Sequence, residues 1–260
     1  MLVFIRSTLF NGLFYPITAI YCVLFLPCLL GTRALLMRVI HFYLSTVLFL
    51  EKYVLGLTYE VRGIENIGHD GTFIVAAKHQ SAYETLKLHF LLGDPTIVLK
   101  KELLSIPLFG EFLKKIDVIA IDRRNKEESI NAIVEGANKM KESNRPILIF
   151  PQGTRVHPSM TSKDKSYKGG IAKMYSYTKL PIVPMALNSG LFWGRNSYIK
   201  RPGKVVFEFL PMIEAGLPEK QVMKTLEYRL EEKSIALMNE AKQGNMLLSN
   251  IEVAQLQEAT

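Results

Sequence analysis

Thr72-Phe73-Ile74-Val75-Ala76-Ala77-Lys78-His79-Gln80-Ser81-Ala82-Tyr83-Glu84 is the stretch around which the chain is organised. Its apolar run, 72–77, has the length and composition of a buried β-strand. Helix-forming residues follow from Ala82 towards Leu92, so the stretch predicts strand, loop and helix, with His79 at the strand's carboxyl end. Open α/β sheets place ligand chemistry at that edge. On a regular helix two residues five apart point about 140° away from each other. His79 and Glu84 can therefore meet only if His79 lies in the loop and Glu84 in the first helical turn, which Ser81 as N-cap would arrange. A pair so placed suits general-base catalysis: the imidazole takes a proton from a hydroxyl, and the carboxylate holds the ring in the right tautomer. Ser81-x-x-Glu84 also reads as a capping box, in which Glu84 bonds back to the Ser81 amide. The two roles do not exclude each other.

Working outward, strands and helices alternate. Thr58–Arg62 reads as a short strand, with turn chemistry at Gly63 and at Gly68-His69-Asp70-Gly71. Thr96–Leu99, Asp117–Asp122, Ile147–Phe150 and Ile182–Leu187 read as further strands, and Lys204–Leu210 as an alternating edge strand. Helices are expected over 107–115, after Asn125 as cap, from Lys168-Gly169-Gly170 to about Tyr177, and from Pro218 to about Lys242. The one after Asn125 has Ile130, Ile133, Val134, Ala137 and Met140 on one face, and Asn144–Pro146 ends it. Such an order predicts an α/β fold, a sheet packed between helices. His79, Lys100-Lys101, Arg123-Arg124 and Arg155 each follow a strand, so one sheet edge can gather them into one site. Of Arg123 and Arg124, one is expected to face substrate and the other a carboxylate such as Asp122.

At 260 residues the chain can bury one substantial core with a small appendage. A formal charge of +8 suits an anionic partner: nucleic acid, acidic lipid or a phosphorylated substrate. The basic residues are not interleaved with aromatics as a nucleic-acid stacking platform requires. Cys22 and Cys28 are the only cysteines, too few and too local for a disulfide framework, and no spacing suggests zinc. Neither a dinucleotide fingerprint nor a P-loop occurs. His41, His69, His89 and His157 have no motif partner.

From Ser7 to Thr32 there is no charged residue. The run exceeds the ~20 residues that a spanning helix needs. A cleaved signal peptide fits poorly, given Pro16, Pro27 and the lack of a small-residue cleavage site. A second apolar stretch, Val39–Leu50, is short for a span and suits the membrane interface, with Arg33, Arg38 and Lys52 at headgroup level. Those three cations against Arg6 favour a cytoplasmic main domain. Trp193 is expected either at the membrane interface or as a partly buried aromatic.

Four blocks in order, His79–Glu84, Val118–Arg123, Phe150–Arg155 and Leu180–Leu187, resemble the 1-acylglycerol-3-phosphate O-acyltransferases of the glycerophospholipid acyltransferase family. With Lys100-Lys101-Glu102 and Lys168-Gly169-Gly170 the resemblance covers about residues 58–210. It implies a mixed, largely parallel sheet flanked by helices and preceded by a membrane-anchoring helical segment. The division expected is 1–52 anchor, 53–243 acyltransferase domain and 244–260 tail, weakly structured from 245. The implied reaction moves a fatty acyl group from acyl-CoA or acyl carrier protein to the free hydroxyl of a lysophosphatidate. By resemblance His79 is the general base and Glu84 orients it. Arg155 and Arg123 hold the phosphate with Lys101 or Lys100 as a further contact, and Gln152, Gly153 and Thr154 approach the substrate. No metal, cofactor or covalent acyl-enzyme is required, and a membrane location, the inner one in a bacterium, follows. Three positions depart from the family's pattern: Glu84 replaces the commoner Asp, Gln152 replaces Glu, and Asp117 replaces a leading Gly. Two alternatives stand beside this reading. One is an acyltransferase of the same fold acting on glycerol 3-phosphate or another lysolipid; the other is a non-catalytic lipid-binding protein.

Overall fold

Every residue of Ile74–Ala77 is buried, because its strand is the middle one of seven. The computed structural model describes residues 1–68 and 71–253. In chain order the elements are α1 (Leu2–Leu24), α2 (Arg33–Leu50), β1 (Leu57–Arg62), β2 (Ile74–Ala77), α3 (Tyr83–Leu91), β3 (Thr96–Lys100), α4 (Phe109–Lys115) and β4 (Ile119–Ile121). They continue with α5 (Lys126–Glu142), β5 (Ile147–Ile149), α6 (Gly170–Thr178), β6 (Ile182–Leu187), α7 (Ser189–Phe192), β7 (Gly203–Phe209) and α8 (Glu219–Gln243). The sheet order is β1-β7-β6-β2-β5-β3-β4. All pairings are parallel except β6 with β7, so the sheet is mixed and largely parallel.

Alternation along β2 sends its side chains to two helical layers. Ile74 and Ala76 meet Ile133 and Met140 of α5, Ile171 of α6 and Leu226 of α8. Val75 and Ala77 face the layer holding Phe10 of α1, Tyr83 and Leu88 of α3, and Trp193. The chain runs outward through β2, β3 and β4; α5 then returns it to β5, between β3 and β2, and α6 crosses to β6. The carboxyl ends of β2, β3, β4 and β5 consequently share one edge, and the loops after them carry the candidate residues.

Two sequence expectations change here. Lys204–Leu210 is not an edge: β7 lies between β1 and β6, and the edges are β1 and β4. Its charges are paired across the sheet and onto α8: exposed Lys204 with Glu60 at 3.0 Å, and half-buried Glu208 with Lys233 at 2.7 Å. Nor does the chain beyond 244 detach at once. A 3-10 turn, Met246–Leu248, seats Leu248 fully buried in the core, and Ile251 and Val253 pack beside it. The rest of the expected tail, 254–260, and the His69-Asp70 part of the expected turn lie outside the described residues.

At the amino end α1 and α2 form a hairpin. Thr18 Oγ1 and Tyr43 Oη lie 2.9 Å apart, as do Tyr21 Oη and Thr46 Oγ1. The second apolar stretch is longer than expected: one helical run covers Arg33–Leu55, closing on a π turn at Glu51–Leu55. Both helices are long and apolar enough to cross a membrane. Their outer faces expose Leu9, Ile20, Phe42 and Phe49. The inner face of α1 is part of the core. Phe10 is fully buried and meets Trp193 edge-on at 5.3 Å between centroids. Lys200 donates from its amide to Ser7 Oγ (2.9 Å) and from Nζ to Asn11 Oδ1 (2.7 Å). Trp193 is therefore a buried core aromatic, 7 % exposed.

Candidate active site

β2 ends at Ala77, and the next two side chains diverge. Lys78 is fully buried and donates from Nζ to Glu231 Oε2 of α8 (2.6 Å) and to Met160 O (2.9 Å). His79 stays in the loop, with its ring stacked on Phe150 at 4.1 Å between centroids. The helix begins one residue later than expected, with Ala82 as N-cap; Ser81 Oγ nonetheless accepts from the Tyr83 amide at 3.0 Å. Glu84 is in the first turn and reaches back.

Its carboxylate does both things the spacing allowed. Glu84 Oε1 accepts from His79 Nδ1 at 2.8 Å, from the Gln80 amide at 2.7 Å and from the Ser81 amide at 2.6 Å. Oε2 accepts from Ser189 Oγ at 2.7 Å. A carboxylate oxygen can only accept here, so Nδ1 donates, and in the neutral ring Nε2 keeps its lone pair. The His79 side chain is 18 % exposed and that of Glu84 0 %: the imidazole is reachable, while its partner is sealed. The extra methylene of Glu over Asp is taken up by the reach from the first turn to the loop amides.

His79 opens on a cavity of about 1370 Å³. Phe14, Thr18 and Tyr43 of the hairpin wall it together with Ile97, Leu99 and Leu103, and Arg123, Arg155, Lys165 and Lys168 bring positive charge. The 150–156 segment is tied to the histidine loop, the Val156 amide donating to His79 O at 2.8 Å. It turns at Gly153, whose φ of +69° an L side chain rarely adopts.

The candidates sort by what already holds them. Arg123 has neither a carboxylate nor a hydrogen-bond partner among the described residues, and it lines the cavity. Arg124 instead pairs with Asp122 at 2.8 Å and holds that carboxyl well below the usual range. Arg155 lines the cavity and, among the described residues, its side chain donates only to Asn196 Oδ1, at 3.3 Å. Lys100 lines it as well, paired with Glu102 at 3.0 Å. Lys101 is not brought in: it opens a 3-10 turn, and its ammonium meets Glu128 of α5 at 2.8 Å. Gln152, Gly153 and Thr154 all line the cavity. The Gln152 side chain is buried, and both its amide atoms are without a partner among the described residues. Among the described residues no three His, Cys, Asp or Glu side chains converge as a metal site would.

Sequence reasoning missed Ser189, 105 residues from Glu84, and the contribution of the hairpin to the cavity wall. Neither leaves a local signal, since both arise where distant segments meet.

The sequence matches the family model described as Acyltransferase over residues 58–188, from β1 to the turn after β6. It is 31 % identical over 207 residues to a 1-acyl-sn-glycerol-3-phosphate acyltransferase of Pseudomonas aeruginosa, covering 80 % of this chain and 79 % of that one. A protein of the same name from Limnanthes alba is 28 % identical over 199 residues, 76 % of this chain and 69 % of the other. Among solved structures, the 1-acyl-sn-glycerophosphate acyltransferase PlsC from Thermotoga maritima superposes with a TM-score of 0.71 at 20 % identity, over 90 % of this chain and 97 % of that one. That likeness speaks for the fold. Half the chain under one family model and a relative alike across four-fifths of it make this protein a member of the acyltransferase family to which the 1-acyl-sn-glycerol-3-phosphate acyltransferases belong.

Proposed function

We propose that the protein transfers a fatty acyl group from a thioester donor, acyl-CoA or acyl carrier protein, to the sn-2 hydroxyl of 1-acylglycerol 3-phosphate. The observation that carries this reading is the His79–Glu84 pair, bonded through Nδ1 at 2.8 Å, beside a cavity that also bears two arginines with no carboxylate partner among the described residues. His79 Nε2 accepts the hydroxyl proton as the hydroxyl oxygen attacks the thioester carbonyl carbon. The imidazolium so formed faces Glu84, and it returns the proton to the thiolate when the C–S bond breaks. Arg123 and Arg155 hold the acceptor phosphate, for which a guanidinium fork is well shaped. Amides of the Gly153–Thr154 turn approach the substrate, where they can serve the phosphate or the tetrahedral oxyanion. Neither a cofactor nor a metal enters these steps.

The hairpin supports a membrane-bound enzyme. Its outer apolar faces suit lipid, while Phe14, Thr18 and Tyr43 bring the same two helices to the cavity wall. Arg38 and Lys52 favour the cytoplasmic side, whereas Arg33 is held by Asp94 of the main domain. The test is acyl transfer by purified protein in lipid or detergent. Lysophosphatidate and glycerol 3-phosphate compete as acceptors, each donor is tried in turn, and His79→Ala runs alongside. Transfer to lysophosphatidate that vanishes in His79→Ala is expected; no transfer with either donor, or an unimpaired variant, would refute the reading.

A further inference from the structure

We propose that Ser189 is a positioning residue for the catalytic pair: it fixes the free oxygen of Glu84, so that the carboxylate cannot pivot and carry the His79 ring with it. The inference rests on His79 acting as the base. Oε1 of Glu84 is pinned by three donors, but a carboxylate held through one oxygen can still swing about it. Among the described residues Oε2 has a single partner, Ser189 Oγ at 2.7 Å, and both residues are fully enclosed. With the second oxygen tied, the direction from Oε1 to Nδ1 is set, and with it the ring plane that Phe150 stacks upon.

The turn that presents Ser189 is itself clamped. Asn188 donates to Leu237 O of α8 at 3.2 Å and accepts from the Val206 amide of β7 at 2.9 Å. The Gly190 amide donates to Gln80 Oε1 at 2.9 Å, joining the turn directly to the loop of His79. A Cβ at Gly190 would come 3.0 Å from Gln80 Cβ, so a glycine lets the two segments approach this closely. A serine serving the fold alone could have bonded a backbone carbonyl of its own turn, as buried serines commonly do. This one crosses 105 residues of sequence to the carboxylate beside the proposed base.

The experiment is steady-state acyl transfer by the full chain in lipid, for wild type, Ser189→Ala, Glu84→Gln and the double variant, with unfolding temperatures measured on each. Ser189→Ala should lower kcat by about tenfold while KM for donor and acceptor stays within about two-fold, the loss appropriate to one hydrogen bond to a charged group. In the Glu84→Gln background the same change should cost measurably less than in wild type, because the glutamine that Ser189 still holds carries no charge to aim at the imidazolium. Three results would overturn the proposal: an unchanged kcat in a merely less stable Ser189→Ala, a loss confined to KM, or an equal loss in both backgrounds. A wild-type chain that transfers no acyl group would strike the proposed reaction itself, whereas an active wild type matched by Ser189→Ala would strike only the role of Ser189.

Discussion

Replacing Glu84 by glutamine separates its two duties. The side chain accepts four hydrogen bonds, three at Oε1 and one at Oε2. Glutamine keeps an oxygen where Oε1 stands, and its amide nitrogen can donate to Ser189 Oγ once that hydroxyl turns. The pairings survive, so stability should change by no more than about 1 kcal/mol. What goes is the charge facing the imidazolium, and kcat should fall by roughly 10² to 10⁴, the range that positioned proton transfer supplies. Glu84→Ala makes the contrast. It leaves the Gln80 and Ser81 amides without their acceptor, at about 1–3 kcal/mol each, so roughly 2–6 kcal/mol of stability should go with the activity. Thermal and denaturant unfolding, set beside acyl-transfer kinetics on the three proteins, read both duties at once. A Glu84→Gln enzyme near wild-type kcat would refute the electrostatic role. A Glu84→Gln protein as unstable as Glu84→Ala would refute the count of pairings.

Three further outcomes follow from groups around the site. Arg123→Ala should raise KM for the acceptor by about ten- to a hundredfold, as loss of a charge-assisted bond to phosphate predicts, while Arg124→Ala, whose partner is Asp122, should leave the acceptor curve unmoved. Lys78→Met leaves the buried Glu231 carboxylate with Tyr167 Oη (3.0 Å) but no counter-charge among the described residues. It should cost about 3–5 kcal/mol in denaturant unfolding. Part of that should be recovered in Lys78→Met with Glu231→Gln, which keeps an acceptor for Tyr167. His89 is buried with neither ring nitrogen paired among the described residues, and burial lowers it from 6.5 to about 4. The unfolded chain therefore takes up that proton first: stability from this group is full above pH 6.5 and is lost as pH falls towards 4. A melting-temperature series over that window should be flatter for His89→Leu; a parallel series would rule the histidine out as the cause.

What could be read in advance follows from how local each cause is. β2 was legible because an uninterrupted apolar run has nowhere to go but between two layers. The His79–Glu84 contact was legible because one loop and one helical turn decide it. β7 misled because its polar face, Lys204 and Glu208, reads as an edge, and only the fold sets β1 beside it and supplies Glu60 and Lys233 as partners. The hairpin's second helix looked short because Arg38 and Glu51 bracket the apolar run; in the structure the helix continues through both, and Glu51 is buried against Lys87. Lys101 and Lys100 are equivalent in sequence, and a change from strand to 3-10 turn between them sends one to the cavity and the other to Glu128. Ser189 left no trace at all, since a serine after a strand is an ordinary turn residue until β6 is set beside β2.

The way α1 is seated bears on how such a protein can be handled. A chain started at residue 53 would lose Phe10, whose burial alone accounts for about 1.5–3 kcal/mol, and would uncover Trp193. It would also lack Phe14, Thr18 and Tyr43 from the cavity wall. Excising the greasy end would therefore yield an aggregating fragment with a breached pocket rather than a water-soluble enzyme. A detergent-free form has to come from recolouring the outside: polar residues at Leu9, Ile20, Phe42 and Phe49, with Ser7, Phe10, Asn11 and Phe14 left as they are.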